Sequence, residues 1–201
     1  MFVAKENCTS LANVFTNCSK LTTVGGIHCP NVTNMANMFM SCSSLKMIPT
    51  LDTSKVTIMG SMFNGCSSLK MIPLLDTSKV VDMAYMFYNC SSLTTIPALD
   101  TSKVTGMGYM FSGCSALTSI PTLDTSKVTY MGSMFSGCSA LTSVTFQCND
   151  VRPYGNNMFL STPIASGNGR IYVPDNLVQA YKTASGWSTH ASVIYGHSAK
   201  P

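Results

Sequence analysis

The chain has 201 residues, of which 45% are hydrophobic and 10% charged; it can bury a core and lacks the composition of a disordered segment. Its formal net charge of +4 comes from lysines spaced singly rather than in tracts, which argues against a nucleic-acid surface. The start, MFVAKENCTS, does not read as a signal peptide, having charges at Lys5 and Glu6 and no apolar run, and no apolar run is long enough to insert across a membrane.

Residues 1–10 are expected to form a partial N-terminal coil, because Met1 and Phe2 match a Met-Phe pair that recurs downstream. From residue 11 to residue 146 the sequence repeats. Phenylalanine returns at Phe15, Phe39, Phe63, Phe87, Phe111 and Phe135, and cysteine at Cys18, Cys42, Cys66, Cys90, Cys114 and Cys138, both in steps of 24 residues. LDTSKV starts at Leu51, Leu75, Leu99 and Leu123, with a degenerate copy, IHCPNV, at Ile27. A fixed period of this length marks a solenoid, in which each unit buries its apolar face against its neighbours.

One copy supplies the expected local structure. Asp76, Thr77 and Ser78 are helix-capping types. Val80, Met83, Met86, Phe87 and Cys90 follow at steps of three, three, one and three, the stripe of an amphipathic helix. Gly65, Asn89, Gly113 and Gly137 stand just ahead of the cysteine, where a helix can end. Leu93 to Ile96 form a short β-compatible run closed by Pro97, which has no amide to donate. The pattern predicts an α/β solenoid of strand-helix coils, with most of the fifteen methionines filling its core.

Nine cysteines raise the question of disulfides. The six in the repeated column point the same way and are poorly placed to bridge, so buried free thiols are expected. A pair among Cys8, Cys29 and Cys148 stays open. Mostly free thiols suit a reducing or anaerobic setting, or assembly inside a cell. Sequons such as Asn17-Cys18-Ser19 recur only because the repeat does.

Residues 147–201 leave the period and are expected to cap the last coil with an α/β segment. Asn157, Met158 and Phe159 keep a trace of the repeat, Gly167 to Gly169 make a turn, and Arg170 to Val173 suit a strand. Pro174 and Asp175 open a helix with Leu177, Val178 and Tyr181 on one face, and Trp187 follows.

The combination of LDTSKVT, Met-x-x-Met-Phe, Gly-Cys-Ser-Ser-Leu and a closing Ile-Pro resembles the BspA-type leucine-rich repeat of bacterial surface proteins and phage tail proteins, over roughly residues 11 to 146. That resemblance implies a right-handed leucine-rich-repeat stack of strand-helix coils used for attachment to host cells, matrix proteins or bacterial surfaces. The string IYVPDNLVQAYKTASGW is similar to the closing segment of repeat proteins from gut bacteria and their phages. A cell-surface, extracellular or virion location follows as an expectation.

Chemistry has little foothold in the pattern. His28, His190 and His197 lack metal-ligand spacing, and the serines have no His and Asp in a shared frame, so no catalytic residue, metal or cofactor is expected. Asp52, Asp76, Asp100 and Asp124 form a column that suits helix capping, with calcium as the alternative. Lys55, Lys79, Lys103 and Lys127 form a second column, either simply solvated or a row for an anionic glycan or phosphate polymer.

The positions that differ between coils speak most directly to recognition. Tyr85 and Tyr109 stand where Ser61 and Ser133 do, Tyr88 replaces Asn64, and Tyr130 replaces Ile58. Tyrosines on an outer face offer rigid contact area to sugars or proteins; shielding of neighbouring coils is the other account. Met47, Met71, Thr95, Ser119 and Ser143 form a column on the strand face, apolar at one end. The expected role is non-catalytic binding of a host-surface glycan or protein. The alternative is a structural spacer that joins virion or envelope parts, with self-association through the N-terminal coil.

Overall fold

A backbone amide in a stacked repeat can bond within its own coil or reach across to the next, and the sequence decides which. In the computed structural model, which describes the backbone of residues 2–3 together with residues 7–153 and 155–201, the two uses alternate. The amides of Met83, Tyr85, Phe87 and Asn89 donate to the carbonyls of Gly106, Gly108, Met110 and Ser112 in the next coil at 2.7–3.2 Å. Those of Met86, Tyr88 and Cys90 turn back to Met83, Tyr85 and Phe87 at 3.0–3.2 Å.

Each inward bond closes a turn, and every fourth residue of the segment is left-handed. Ser61, Tyr85, Tyr109 and Ser133 have φ of 51–58°, and Gly65, Asn89, Gly113 and Gly137 have φ of 55–79°. A right-handed helix tolerates no such residues and keeps its interior amides for itself. The helix expected from Val80 to Cys90 is therefore not formed; the segment is a succession of turns bonded to the next coil. Its apolar stripe is the same, because residues three and four apart meet on one side in either conformation. Among the described residues the one α-helix is α1, Val178–Thr183, in the C-terminal segment.

The aspartates change role accordingly. No helix follows Asp52, Asp76, Asp100 or Asp124; each Oδ1 accepts the amide two residues on, from Ser54, Ser78, Ser102 or Ser126, at 2.8–3.1 Å, closing an Asx-turn. The serine hydroxyl and amide hold the Asp52, Asp76 and Asp100 carboxyls below their ordinary range. Inter-coil bridges run instead along the column Ser10, Asn34, Ile58, Asp82, Gly106 and Tyr130, all parallel.

The strand expected after the cysteine is sparse in the middle coils. Lys46 donates to the Thr22 carbonyl at 3.0 Å and Thr94 to that of Lys70 at 3.2 Å. Pro49, Pro73, Pro97 and Pro121 remove the same donor from four successive coils. Thr145 stands in that column in the last copy, and there a full strand forms. At the N-terminal end, β1 (Phe2–Val3) pairs in parallel with β2 (Ile27–His28), placing Phe2 beside Ile27. Phe2 thus sits in the LDTSKV column and not in a Met-Phe column; Met1 and residues 4–6 of the expected coil lie outside the described residues.

The buried interior is a set of ladders. Phe15 to Phe135 stack with centroids 5.4–5.7 Å apart and planes within 3–9°, and Phe39, Phe63, Phe87, Phe111 and Phe135 are 0% exposed. The thiols of Cys42, Cys66, Cys90, Cys114 and Cys138 donate to the carbonyls of Phe15, Phe39, Phe63, Phe87 and Phe111 at 3.0–3.1 Å. All nine cysteines are free, including Cys8, Cys29 and Cys148. Cys18, expected to be buried with its column, is exposed because it stands in the first full repeat, at the end of the stack.

At the other end the repeat runs one coil further than its motifs do. Ser133, Phe135 and Gly137 donate to the carbonyls of Asn156, Met158 and Leu160 at 2.8–2.9 Å, and Phe159 adds a rung to the ring ladder 5.7 Å from Phe135. A parallel sheet of β3 (Leu123–Asp124), β4 (Ser143–Gln147), β5 (Arg170–Val173) and β6 (Ile194–Gly196) follows. Trp187, 1% exposed, closes the core edge-on to Phe146, Phe159 and Tyr181 and donates its indole N–H to the Arg152 carbonyl at 2.7 Å.

The last coil reaches the stack through Gly155. A Cβ there would run into the backbone of Met131 and Gly132, which cannot yield as a side chain can. Gly155→Ala is expected to lower stability by about 1–3 kcal/mol, read from urea unfolding; an unchanged midpoint would mean that the last coil does not approach this closely.

Candidate recognition surface

Tyr85 and Tyr109 occupy a backbone position that disfavours them. Asn13, Asn37 and Asn157 hold the corresponding left-handed position in other coils, and Asn visits that region readily. For other L-residues it costs roughly 1–2 kcal/mol. Both tyrosines are nevertheless fixed at φ 58° by cross-coil bonds, Tyr85 N–H to the Gly108 carbonyl at 3.0 Å and Tyr109 N–H to that of Gly132 at 2.9 Å. The left-handed backbone thus aligns their side chains in one column.

Their rings stack with centroids 4.7 Å apart and planes within 5°. Tyr88 is set edge-on, 5.7 Å from Tyr85 and 6.3 Å from Tyr109. Tyr130 comes from the bridging column and lies across the backbone of Gly108 and Gly132, where a Cβ on either glycine would collide with its ring. Burial, and after it the phenols of Tyr109, Tyr130 and Tyr88, push the Tyr85 phenol above its ordinary range. Tyr85 and Tyr130 remain 38% and 53% exposed. The structure thus gathers all four predicted tyrosines on one face.

Sequence reasoning missed the residues that shape this face. Asp82, one coil position ahead of Met83, turns its Oδ1 to the Ala84 amide at 2.9 Å, and its Oδ2 lies over Gly60. Gly108 and Gly132 make room for Tyr130. Their signal was the glycine that replaces Ala12, Ala36 and Ala84 in the repeat.

The lysine column keeps to itself. Lys55, Lys79, Lys103 and Lys127 are all exposed, each next to a buried valine, and the Lys55 ammonium donates to Asn31 Oδ1 at 2.7 Å. On the strand face, Met47 and Met71 are each 60% exposed. With Lys46, Lys70, Ser68 and Ser92 they line a shallow groove of about 510 Å³. Thr95, Ser119 and Ser143 continue that column without apolar character.

Among the described residues no group of three or more His, Cys, Asp or Glu side chains comes together. His190 is buried, which lowers its pKa, and it meets the Phe159 ring edge-on at 5.4 Å. His197 Nε2 lies 3.0 Å from the Phe146 carbonyl. Among the described residues no helix is long and apolar enough to cross a membrane.

A family model described as "Mycoplasma protein of unknown function, DUF285" matches residues 9–116 and 70–163. The chain is also similar to the crystal structure of a leucine-rich repeat protein from Bacteroides ovatus, at 22% identity and a TM-score of 0.37, over 95% of this chain and 67% of that one. None of the curated proteins matches it.

Proposed function

The chain belongs to the DUF285 family, and from that premise we propose that it is a non-catalytic recognition module that binds a surface glycan or protein through its tyrosine face. The observation that carries this reading is the convergence of Tyr85, Tyr88, Tyr109 and Tyr130, with two of them in left-handed conformations that Asn or Ser fills elsewhere. The finer assignment, a right-handed BspA-type leucine-rich repeat of a bacterial surface adhesin or phage tail, belongs to the same proposal and rests on the LDTSKV and Met-x-x-Met-Phe motifs. A cell-surface, extracellular or virion setting goes with it.

The test is binding of the labelled protein to a panel of gut bacterial cells and immobilised surface glycans. A parallel sample carries Tyr85→Asn, Tyr88→Ser and Tyr109→Asn, residue types that other coils already use at those positions. Selective binding that falls at least about tenfold in the variant is the expected result, with an unchanged melting temperature. Binding retained by the variant would remove the tyrosine face from the reading.

A second reading, a spacer that joins larger parts through its ends, has one observation in its favour. Val14 is 40% exposed where Met38 is 0%, and Phe15, Leu21 and Val24 are only partly buried, so the first full coil offers apolar surface. Concentration-dependent association in sedimentation, abolished by Val14→Lys, together with no binding to any cell or glycan, would favour it.

A further inference from the structure

A ring ladder that ends abruptly leaves its last face open. Tyr109 covers one face of Tyr85 at 4.7 Å, and the next rung in the other direction belongs to Ser61, whose amide bonds the Ala84 carbonyl at 2.8 Å. Ser61 carries a hydroxymethyl group where a third tyrosine would stack. The rung is empty of ring but bounded on its other sides. Gly60 supplies a floor without a side chain, and Asp82 Oδ2 lies over it. Asn64, half-buried, occupies the repeat position that Tyr88 takes one coil on.

We infer that this rung is a binding site for an uncharged pyranose unit of a glycan, stacked on the open face of Tyr85 with its hydroxyls turned to Asp82, Ser61 and Asn64. The inference rests on the recognition reading and narrows it to a ligand class.

Three features select a sugar. The 4.7 Å rung spacing of the tyrosine pair falls at the close end of ordinary ring stacking, so a pyranose chair set with its C–H face against Tyr85 takes about one rung. A carboxylate, an amide and a hydroxyl around an apolar face match a ring whose C–H bonds point to its faces and whose hydroxyls lie on its rim. Such a site orients its ligand with a small number of placed polar groups. The Asp82 carboxylate is fixed by the Ala84 amide at 2.9 Å and turns away anionic sugars, so uronic and sialic acids are excluded.

The full chain is titrated by calorimetry and saturation-transfer NMR with maltotriose, cellotriose, mannotriose and chitotriose, and with a trigalacturonate as the charged comparison. At least one neutral trisaccharide binds, the trigalacturonate does not, and Tyr85→Asn and Asp82→Asn each weaken binding by about tenfold or more. Both variants keep the fold, because Asn37 already stands at the Tyr85 position with φ 56° and Asn34 Oδ1 already accepts the Ala36 amide at 2.9 Å. The inference is overturned if no neutral trisaccharide binds, if either variant binds as well as the parent, or if the trigalacturonate is preferred. If no trisaccharide binds while the triple tyrosine variant still loses cell binding, recognition stands and the sugar does not; loss of neither would sink both.

Discussion

Phe87→Ala is expected to destabilise the protein by about 3–5 kcal/mol, and Phe15→Ala by far less. Phe87 is 0% exposed and stacks on Phe63 at 5.6 Å and on Phe111 at 5.5 Å. Its amide holds the Met110 carbonyl at 2.9 Å. Truncation removes a ring from two stacks at once and opens a cavity that the flanking coils cannot close, since each is pinned to its neighbours by alternate amides. In a repeat array stability is close to a sum of nearest-neighbour terms, so a break in mid-stack also uncouples the two halves. Phe15 has a stacked partner in Phe39 and is only partly buried. Urea unfolding of the two variants checks the contrast, and equal losses would mean that the ladder is not the main source of cohesion.

The second large effect concerns the thiols. Burial pushes Cys66 and Cys138 up to about 12 and Cys42 up to about 11, and raises Cys90 and Cys114 well above the ordinary range. Reactivity follows the thiolate, so at pH 8 a thiol with a pKa near 12 presents it in only about one molecule in 10,000, before access is counted. Iodoacetamide labelling followed by mass spectrometry should mark Cys18, which is exposed, within minutes. The five ladder thiols should be labelled only after denaturation. Native labelling of Cys90 at the rate of Cys18 would show that the stack opens far more often than its packing implies.

The period and the core were legible because each coil must fill the same interior. Val80, Met83, Met86, Phe87 and Cys90 of the apolar stripe, and Leu93 and Ile96 of the β-compatible run, are all 0–4% exposed. The conformation that carries them was not. A helix and a run of turns share the three-and-four spacing, and the residues that separate them are the left-handed ones. The glycines and Asn89 ahead of the cysteine, and Asn13, Asn37 and Asn157 in the column four residues earlier, announced that geometry; Ser61, Tyr85, Tyr109 and Ser133 give no such cue, because the fold imposes φ on them. The tyrosines were found as departures from the repeat. Asp82 was missed because its column, Ser10, Asn34, Ile58, Asp82, Gly106 and Tyr130, shares no chemistry from coil to coil.

The alternating amides carry one more implication. From Met83 to Asn89 the cross-coil bonds run from the amides of one coil to the carbonyls of the next, while the amides of Val81, Ser92 and Thr94 run back to Thr57, Ser67 and Lys70 of the coil before, so the two flat sides of a coil are chemically unlike. Over the turns from Met83 to Asn89 one side donates and the other accepts. A coil flipped over would bring donor against donor, whereas one moved elsewhere along the array in the same sense would find the partners it left. Such a chain can be lengthened, shortened or shuffled in whole units, changing which side chains stand next to one another while the direction of the stack stays fixed.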